Sequence, residues 1–231
     1  MNQAHQTHQT ALVTGAYRGI GRELTRQLAA RGWRVVAVHR RPADPAGGPL
    51  RALGALELPE VDVRRPAGLL AAVRALGVER LDLLINNAGV FLNEALGAID
   101  YDDVLTQLEV NAVAPLRVTE ELLPLLGAGS KVVQVTSRMG SIADNTSGAY
   151  YGYRMSKAAL NAASASLALD LRPRGVAVAL VHPGFVRTEM TGGRGLIEPE
   201  ESARGILARA DALTLAESGG FWHVDGSRLP W

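Results

Sequence analysis

Seven short runs rich in Val, Leu and Ala recur along the chain, separated by stretches whose apolar residues follow helical spacing. A strand buried on both faces reads as a continuous apolar run, and parallel strands need a long, usually helical, crossover to join them. The alternation predicts an α/β domain with a central, mostly parallel sheet of about seven strands flanked by helices. The strand runs are Ala11–Thr14, Arg34–His39, Ala55–Leu58 with a continuation to Val63, Leu81–Asn86, Lys131–Ser137, Val176–His182 and Gly220–Val224. Helices are expected over Ile20–Ala30, Pro66–Leu76, Tyr101–Leu126 with a break near Asn111 to Pro115, Tyr151–Leu171 and Pro199–Ala210. The last opens with a proline and two glutamates, as a helix N-terminus prefers.

Composition narrows the function classes. The 231 residues are 47% hydrophobic, enough for one sizeable core, and 24 Lys+Arg against 23 Asp+Glu leave a net charge of +1. That balance lacks the excess positive charge that nucleic acids or anionic membranes select. Zero Cys excludes disulfides, thiolate metal sites and a cysteine nucleophile. No apolar run approaches the ~18 residues of a membrane span, so a cytoplasmic protein is expected. Residues 1–9 read as a flexible polar tail, in which His5 and His8 are solvated rather than metal ligands, and residues 10–231 as a single domain. Pro42–Pro49 and Gly192–Gly195 are short loops.

In a parallel sheet, ligands gather beyond the carboxyl ends of the strands. Directly after the first strand comes Thr14-Gly15-Ala16-Tyr17-Arg18-Gly19-Ile20-Gly21, followed by an amphipathic helix. Glycines here let backbone N–H groups and the helix N-terminus approach a pyrophosphate, which predicts a dinucleotide cradle in a Rossmann-like, three-layer fold. An NAD site usually places an Asp or Glu after the second strand, for the adenosine ribose 2′-hydroxyl. This chain has His39-Arg40-Arg41 instead, with Arg18 as a further cation. Guanidinium groups suit a 2′-phosphate, so NADP(H) is expected over NAD(H) by about tenfold to a hundredfold. The bland reading makes Arg40 and Arg41 solvated loop residues.

Tyr153 and Lys157 stand four apart, on one face of the expected Tyr151–Leu171 helix. A nearby ammonium favours phenolate, which would bring the phenol closer to working range as a proton donor and acceptor. Tyr150, with Arg154 four residues on, is a rival by spacing, whereas Tyr151 has only Met155 there.

Taken together, Thr14-Gly-x-x-x-Gly-Ile-Gly21, Asp62-Val63, Asn86-Asn87-Ala88-Gly89, Asn111, Ser137, Tyr153-x-x-x-Lys157 and Pro183-Gly184-x-Val186-x-Thr188 resemble the short-chain dehydrogenase/reductase family across essentially the whole chain. Tyr153-Arg-Met-Ser-Lys-Ala-Ala-Leu-Asn161 and the ending Leu229-Pro230-Trp231 resemble its C-factor and sniffer-type branch, which includes carbonyl reductases. The resemblance implies that Tyr153 is the general acid and that Lys157 bonds the nicotinamide ribose and stabilises the developing phenolate. By the same resemblance Ser137 polarises the substrate carbonyl, and Asn111 interrupts its helix to hold a water leading to Lys157. In many relatives the serine precedes the tyrosine by thirteen residues, where this chain has Gly140. Ser137 is preferred because it ends a strand, with Ser141 as runner-up.

The implied cofactor contacts begin with Gly15, Tyr17, Arg18, Gly19, Ile20 and Gly21, joined by Arg40 at the adenosine phosphate and by Asp62 and Val63 at the adenine. Asn87, Ala88 and Gly89 follow at the sheet's centre. Pro183, Gly184, Val186 and Thr188 would hold the nicotinamide carboxamide, with Tyr153 and Lys157 at its ribose. His182 reads as a packed residue and no metal site is expected. Glu189 to Glu198 corresponds to the substrate lid of relatives, its glycines suited to a hinge, with Phe91, Met139, Phe185 and Met190 as candidate pocket walls. The alanine-rich Tyr151–Leu171 helix resembles one used by relatives for association, which implies a homodimer or homotetramer. The expected activity is NADPH-dependent reduction of a small carbonyl compound, reversible to alcohol oxidation. An NAD-linked alcohol dehydrogenase and a cofactor-binding sensor with little turnover are the alternatives.

Overall fold

The computed structural model describes residues 8–43 and 48–231. Most of the expected tail, with His5, and part of the Pro42–Pro49 loop lie outside the described residues. His8 donates to the Gly32 carbonyl at 3.2 Å.

In chain order the main elements are β1 (Thr10–Thr14), α1 (Gly19–Ala30), β2 (Arg34–Val38), α2 (Gly48–Arg51), β3 (Leu56–Leu58), α3 (Leu69–Ala75) and β4 (Leu83–Asn86). The second half runs α4 (Tyr101–Leu108), a π-helical segment Glu109–Val113, α5 (Ala114–Glu121), β5 (Lys131–Val135), α6 (Tyr151–Leu171), β6 (Ala177–His182), α7 (Pro199–Ala212) and β7 (Gly220–His223). Among the described residues the sheet has seven strands in the order β3-β2-β1-β4-β5-β6-β7, and every pair is parallel.

Alternation along each strand divides the core in two. Ala11, Val13, Val35, Ala37, Val133 and Val181 pack with Leu24 and Leu28 of α1 and Ile206 and Leu207 of α7. Leu12, Val36, Val38, Leu84 and Val132 face the other way, against Val73 of α3, Val118 of α5 and Ala168 of α6. The three-layer fold follows directly, since each strand must bury both its faces. From β1 the chain winds outward to β3, then crosses back to start β4 on the other side of β1. The crevice beyond the ends of β1 and β4 is therefore the topological switch point, where such sheets bind ligands.

Two expectations need correction. The third strand does not continue to Val63: it ends at Leu58 because Pro59 has no N–H for the ladder. Beyond it Glu60 turns with φ +58°, and the N–H groups of Glu60 and Val61 return to the carbonyls of Arg41 and His39. The expected long Tyr101–Leu126 helix is α4, the π-helical segment and α5, then a 3-10 turn at Leu123–Leu125. Pro115 accounts for the change, because it has no N–H to give the carbonyl four residues earlier, that of Asn111.

Candidate active site

A cleft of about 370 Å³ opens at the switch point. Its floor is the glycine loop after β1. Thr14 Oγ1 accepts the N–H groups of Asn87 (3.0 Å) and Ala88 (3.1 Å), while Asn87 Nδ2 donates to the Thr14 carbonyl at 3.0 Å. These bonds pull the loop against the end of β4, so closely that a Cβ at Gly15 would lie 2.9 Å from Ala88 Cα. At Gly21 a Cβ would sit 2.2 Å from the Gly15 carbonyl oxygen. Glycine is thus sterically required where α1 enters the loop. No acidic residue stands in the first turn of α1 and the Arg18 side chain before it makes no capping bond, so its first N–H groups suit an anion.

Cations rim the outer end. The Arg41 guanidinium stacks 4.7 Å over the Tyr17 ring, and Arg40 and Arg41 form no ion pair among the described residues. His39 turns inward instead, bonding buried Glu57 at 2.7 Å and meeting Tyr17 edge-on. Asp62 is held by Arg64, whose Nη2 donates at 2.6 Å, and this bond first of all keeps its carboxyl below the ordinary carboxylate range. Arg18 is bonded to Glu189 across the cleft.

At the inner end α6 brings Tyr153 and Lys157 to the cleft wall. Lys157 Nζ is buried, donates to the Val135 carbonyl at 2.9 Å and lies 5.8 Å from the Tyr153 ring centre. Burial pushes the ammonium down to about 8. It also pushes the Tyr153 phenol up to about 12, against the opposing hydrogen bond of the Ser137 hydroxyl. The expected lowering of the phenol by its cationic neighbour is overturned: loss of water outweighs it. Tyr150 precedes the helix and packs on Phe91.

Ser137 stands two residues beyond the end of β5, before a 3-10 turn, and its Oγ also accepts the Met139 N–H at 3.1 Å. Ser141 is engaged elsewhere, accepting the Asp144 N–H at 3.1 Å. Gly140 has no room for a side chain, since a Cβ would lie 2.7 Å from the Lys157 carbonyl carbon. Asn111, within the π segment, accepts the Val90 N–H and donates to the Val90 carbonyl, both at 2.8 Å, and donates to Ser156 Oγ at 3.0 Å. Its amide therefore ties the chain after β4 to the helix that carries Lys157.

Of the expected residues, the glycine-loop set, Arg40, Asp62, Val63, Asn87 to Gly89, Asn111, Tyr153, Lys157, Pro183 and Thr188 line this one cleft. Ser137, Gly184 and Val186 do not. Ser137 is buried and hydrogen-bonded to the Tyr153 phenol, Gly184 turns with φ +80° against Ile197, and buried Val186 bridges to Ile197. The segment after Thr188 is no loose hinge: Leu196 and Ile197 N–H groups return to the Phe185 carbonyl, and Arg187 pairs with Glu198 at 2.7 Å. Met190 is the one expected wall residue that lines the cleft, while Phe91 stands edge-on to Tyr153 at 5.0 Å. His182 fits the packed reading, with burial driving its imidazole down to about 3.

Residues 9–196 match the family model described as short chain dehydrogenase. The chain belongs to the short-chain dehydrogenase family. It is similar to 1-hydroxy-2-glutathionyl-2-methyl-3-butene dehydrogenase of Rhodococcus sp. (strain AD45), 41% identical over 228 residues, which are 96% of this chain and 99% of that protein. It is also 49% identical over 154 residues to C-signal of Myxococcus xanthus, covering 65% of this chain and 93% of its relative. Among solved structures, the NADPH-bound carbonyl reductase from chicken fatty liver superposes with a TM-score of 0.87 at 29% identity, over 97% of this chain and 99% of that one. As a short-chain dehydrogenase the chain is an oxidoreductase. Sequence reasoning passed over Arg64 as a cleft residue, although it adjoins Val63.

Proposed function

We propose that this short-chain dehydrogenase is an NADP(H)-dependent carbonyl reductase in which Tyr153 is the acid. The observation that carries the reading is a single cleft with a glycine cradle in its floor, Arg40 and Arg41 at one end and Tyr153 beside Lys157 at the other. The cradle fits a dinucleotide because Gly15 and Gly21 let the loop close tightly against the end of β4 and the start of α1, leaving the N-terminus of α1 facing the cleft. Gly15 to Gly21 and the α1 N-terminus would hold the pyrophosphate, Arg40 and Arg41 the 2′-phosphate, and Asp62 and Val63 the adenine. Such a dinucleotide supplies the hydride.

The chain's own residues manage the proton. With its phenol at about 12, Tyr153 stays protonated through neutral pH and can give its proton to a carbonyl oxygen. Ser137 donates to the same phenolic oxygen, so it stabilises the phenolate left behind and orients the group. Lys157, at about 8, adds positive charge beside that phenolate and can itself release and regain a proton near neutrality. The Asn111 carbonyl, which has Pro115 rather than an N–H donor four residues on, is suited to hold a water that returns protons to Lys157.

The Rhodococcus relative is named for oxidising a 1-hydroxy compound that bears a glutathionyl group. Alcohol oxidation with NADP+ is therefore the second direction to assay. The test is NADPH oxidation over aldehydes, ketones and quinones, and NADP+ reduction over alcohols, with Tyr153→Phe alongside. Turnover by the parent and a loss of about a hundredfold or more in the variant are expected. Full activity in the variant refutes the acid role, and silence of the parent with every substrate favours the sensor reading.

A further inference from the structure

Helix α6 carries Tyr153 in its first turn yet begins without a cap of its own. No side chain of Tyr150, the residue before the helix, bonds a backbone N–H, and the first turn holds no acid. The approach is strained as well. Gly148, Ala149 and Tyr150 have φ of +63°, +53° and +55°, three successive left-handed residues of which two are not glycine. Uncapped first turns fray, and a frayed first turn here would move Tyr153.

The missing cap comes from the chain after β4. Glu94 is only 2% exposed, and its Oε2 accepts the Gly152 N–H at 3.1 Å while its backbone carbonyl accepts the Tyr150 N–H at 3.2 Å. Its Oε1 accepts the amide of fully buried Gln107, whose own Oε1 accepts the Leu92 N–H at 2.9 Å. Glycine at 152 makes room for this, since a Cβ would lie 2.5 Å from Glu94 Oε1 and 2.6 Å from Gln107 Nε2. From the solvent side Arg154 donates to the carbonyls of Gly148 (3.2 Å) and Ala149 (3.1 Å) and to Ser147 Oγ (2.9 Å). Phe91, three residues before Glu94, meets the rings of both Tyr150 and Tyr153. A carboxylate at a helix N-terminus is also favoured by the helix dipole.

We propose that Glu94 is a positioning residue for Tyr153: its buried carboxylate is the remote N-cap of α6 and, with Gln107 and Arg154, holds the left-handed turn that places the phenol. The proposal rests on the reading of Tyr153 as the acid. In Glu94→Gln one acceptor oxygen becomes an NH2 group, which must face either the Gly152 N–H or the Gln107 amide. Combining it with Gln107→Glu remakes every bond. The new amide accepts from Gly152 and donates to the new carboxylate, which still accepts from Leu92.

The experiment compares the parent, Glu94→Gln and the double exchange by kcat, NADPH affinity, Tm and amide hydrogen exchange at Gly152 and Tyr153. In the single variant kcat falls about tenfold to a hundredfold with NADPH affinity held within about twofold, and the double exchange restores kcat to within about threefold. An unchanged kcat in the single variant overturns the proposal, as does a double exchange that regains Tm without regaining kcat. Should the single variant not fold, Arg154→Met releases the same turn from outside, and an unchanged kcat there overturns it too. Amide exchange separates the two readings because it needs no turnover. Fast exchange in Glu94→Gln and slow exchange in the double exchange support the cap even if Tyr153→Phe proves fully active, and equal exchange in all three overturns it.

Discussion

Replacing Lys157 with Met should abolish efficient turnover and yet make the ligand-free protein more stable. The ammonium is buried, and burial brings it from 10.5 to about 8. At roughly 1.4 kcal/mol per unit, that difference costs the folded state about 3 kcal/mol at neutral pH. The variant also gives up the bond to the Val135 carbonyl, a loss of about 1 kcal/mol. A net gain of about 2 kcal/mol remains, which in a chain of this size corresponds to a Tm higher by roughly 4–8 °C. Because the folded pKa lies below the unfolded one, the cost is fully present below pH 8 and disappears as pH rises from about 8 toward 10.5. The parent therefore gains stability relative to the variant over that window. Calorimetry or urea unfolding of both proteins between pH 6 and pH 10 reads this directly. A variant less stable than the parent at pH 7, or a stability difference that does not narrow with rising pH, would refute the reasoning.

Charge reversal at the cleft's cationic end, Arg40→Asp with Arg41→Asp, should lower kcat/KM for NADPH by about tenfold to a hundredfold and leave NADH use nearly unchanged, as comparison of the two cofactors will show. Gly21→Ala forces a Cβ to within 2.2 Å of the Gly15 carbonyl oxygen, so cofactor binding measured by fluorescence titration should be lost, by about a hundredfold or more in Kd. Carbonyl reduction should decline as pH rises through about 8, where Lys157 loses its charge beside the phenolate; a rate flat from pH 7 to pH 9.5 counts against that role.

Much of this was readable from residues alone, for reasons that differ by element. The strands announced themselves because a parallel sheet buries both faces of Val36 and Val132 and their neighbours, leaving no polar alternation to blur the runs. The glycine loop was equally plain, since Gly15 and Gly21 answer to steric limits set within a few residues. Long-range partnerships were not readable. Nothing near Glu94 in sequence signals that it caps a helix starting at Tyr151, and Arg18 meets Glu189 across 171 positions. The phenol of Tyr153 was misjudged for a related reason: spacing reveals a cation one helical turn away but not the loss of solvent that outweighs it. The over-extension of the third strand to Val63 was avoidable, because Pro59 was already in view.

The π-helical segment has a consequence for which changes in length the chain can tolerate. A π turn is in effect one additional residue accommodated within a helix, and removing a residue from Glu109–Val113 would let the stretch relax to ordinary α geometry. Everything upstream would then swing by about 100° about the helix axis relative to α5. Val104 and Gln107 would leave α6, and Asn111 would lose Val90 and Ser156 together. Deletions here should be purged while equal ones in surface loops survive, making this five-residue stretch a fixed-length spacer between two halves of the site.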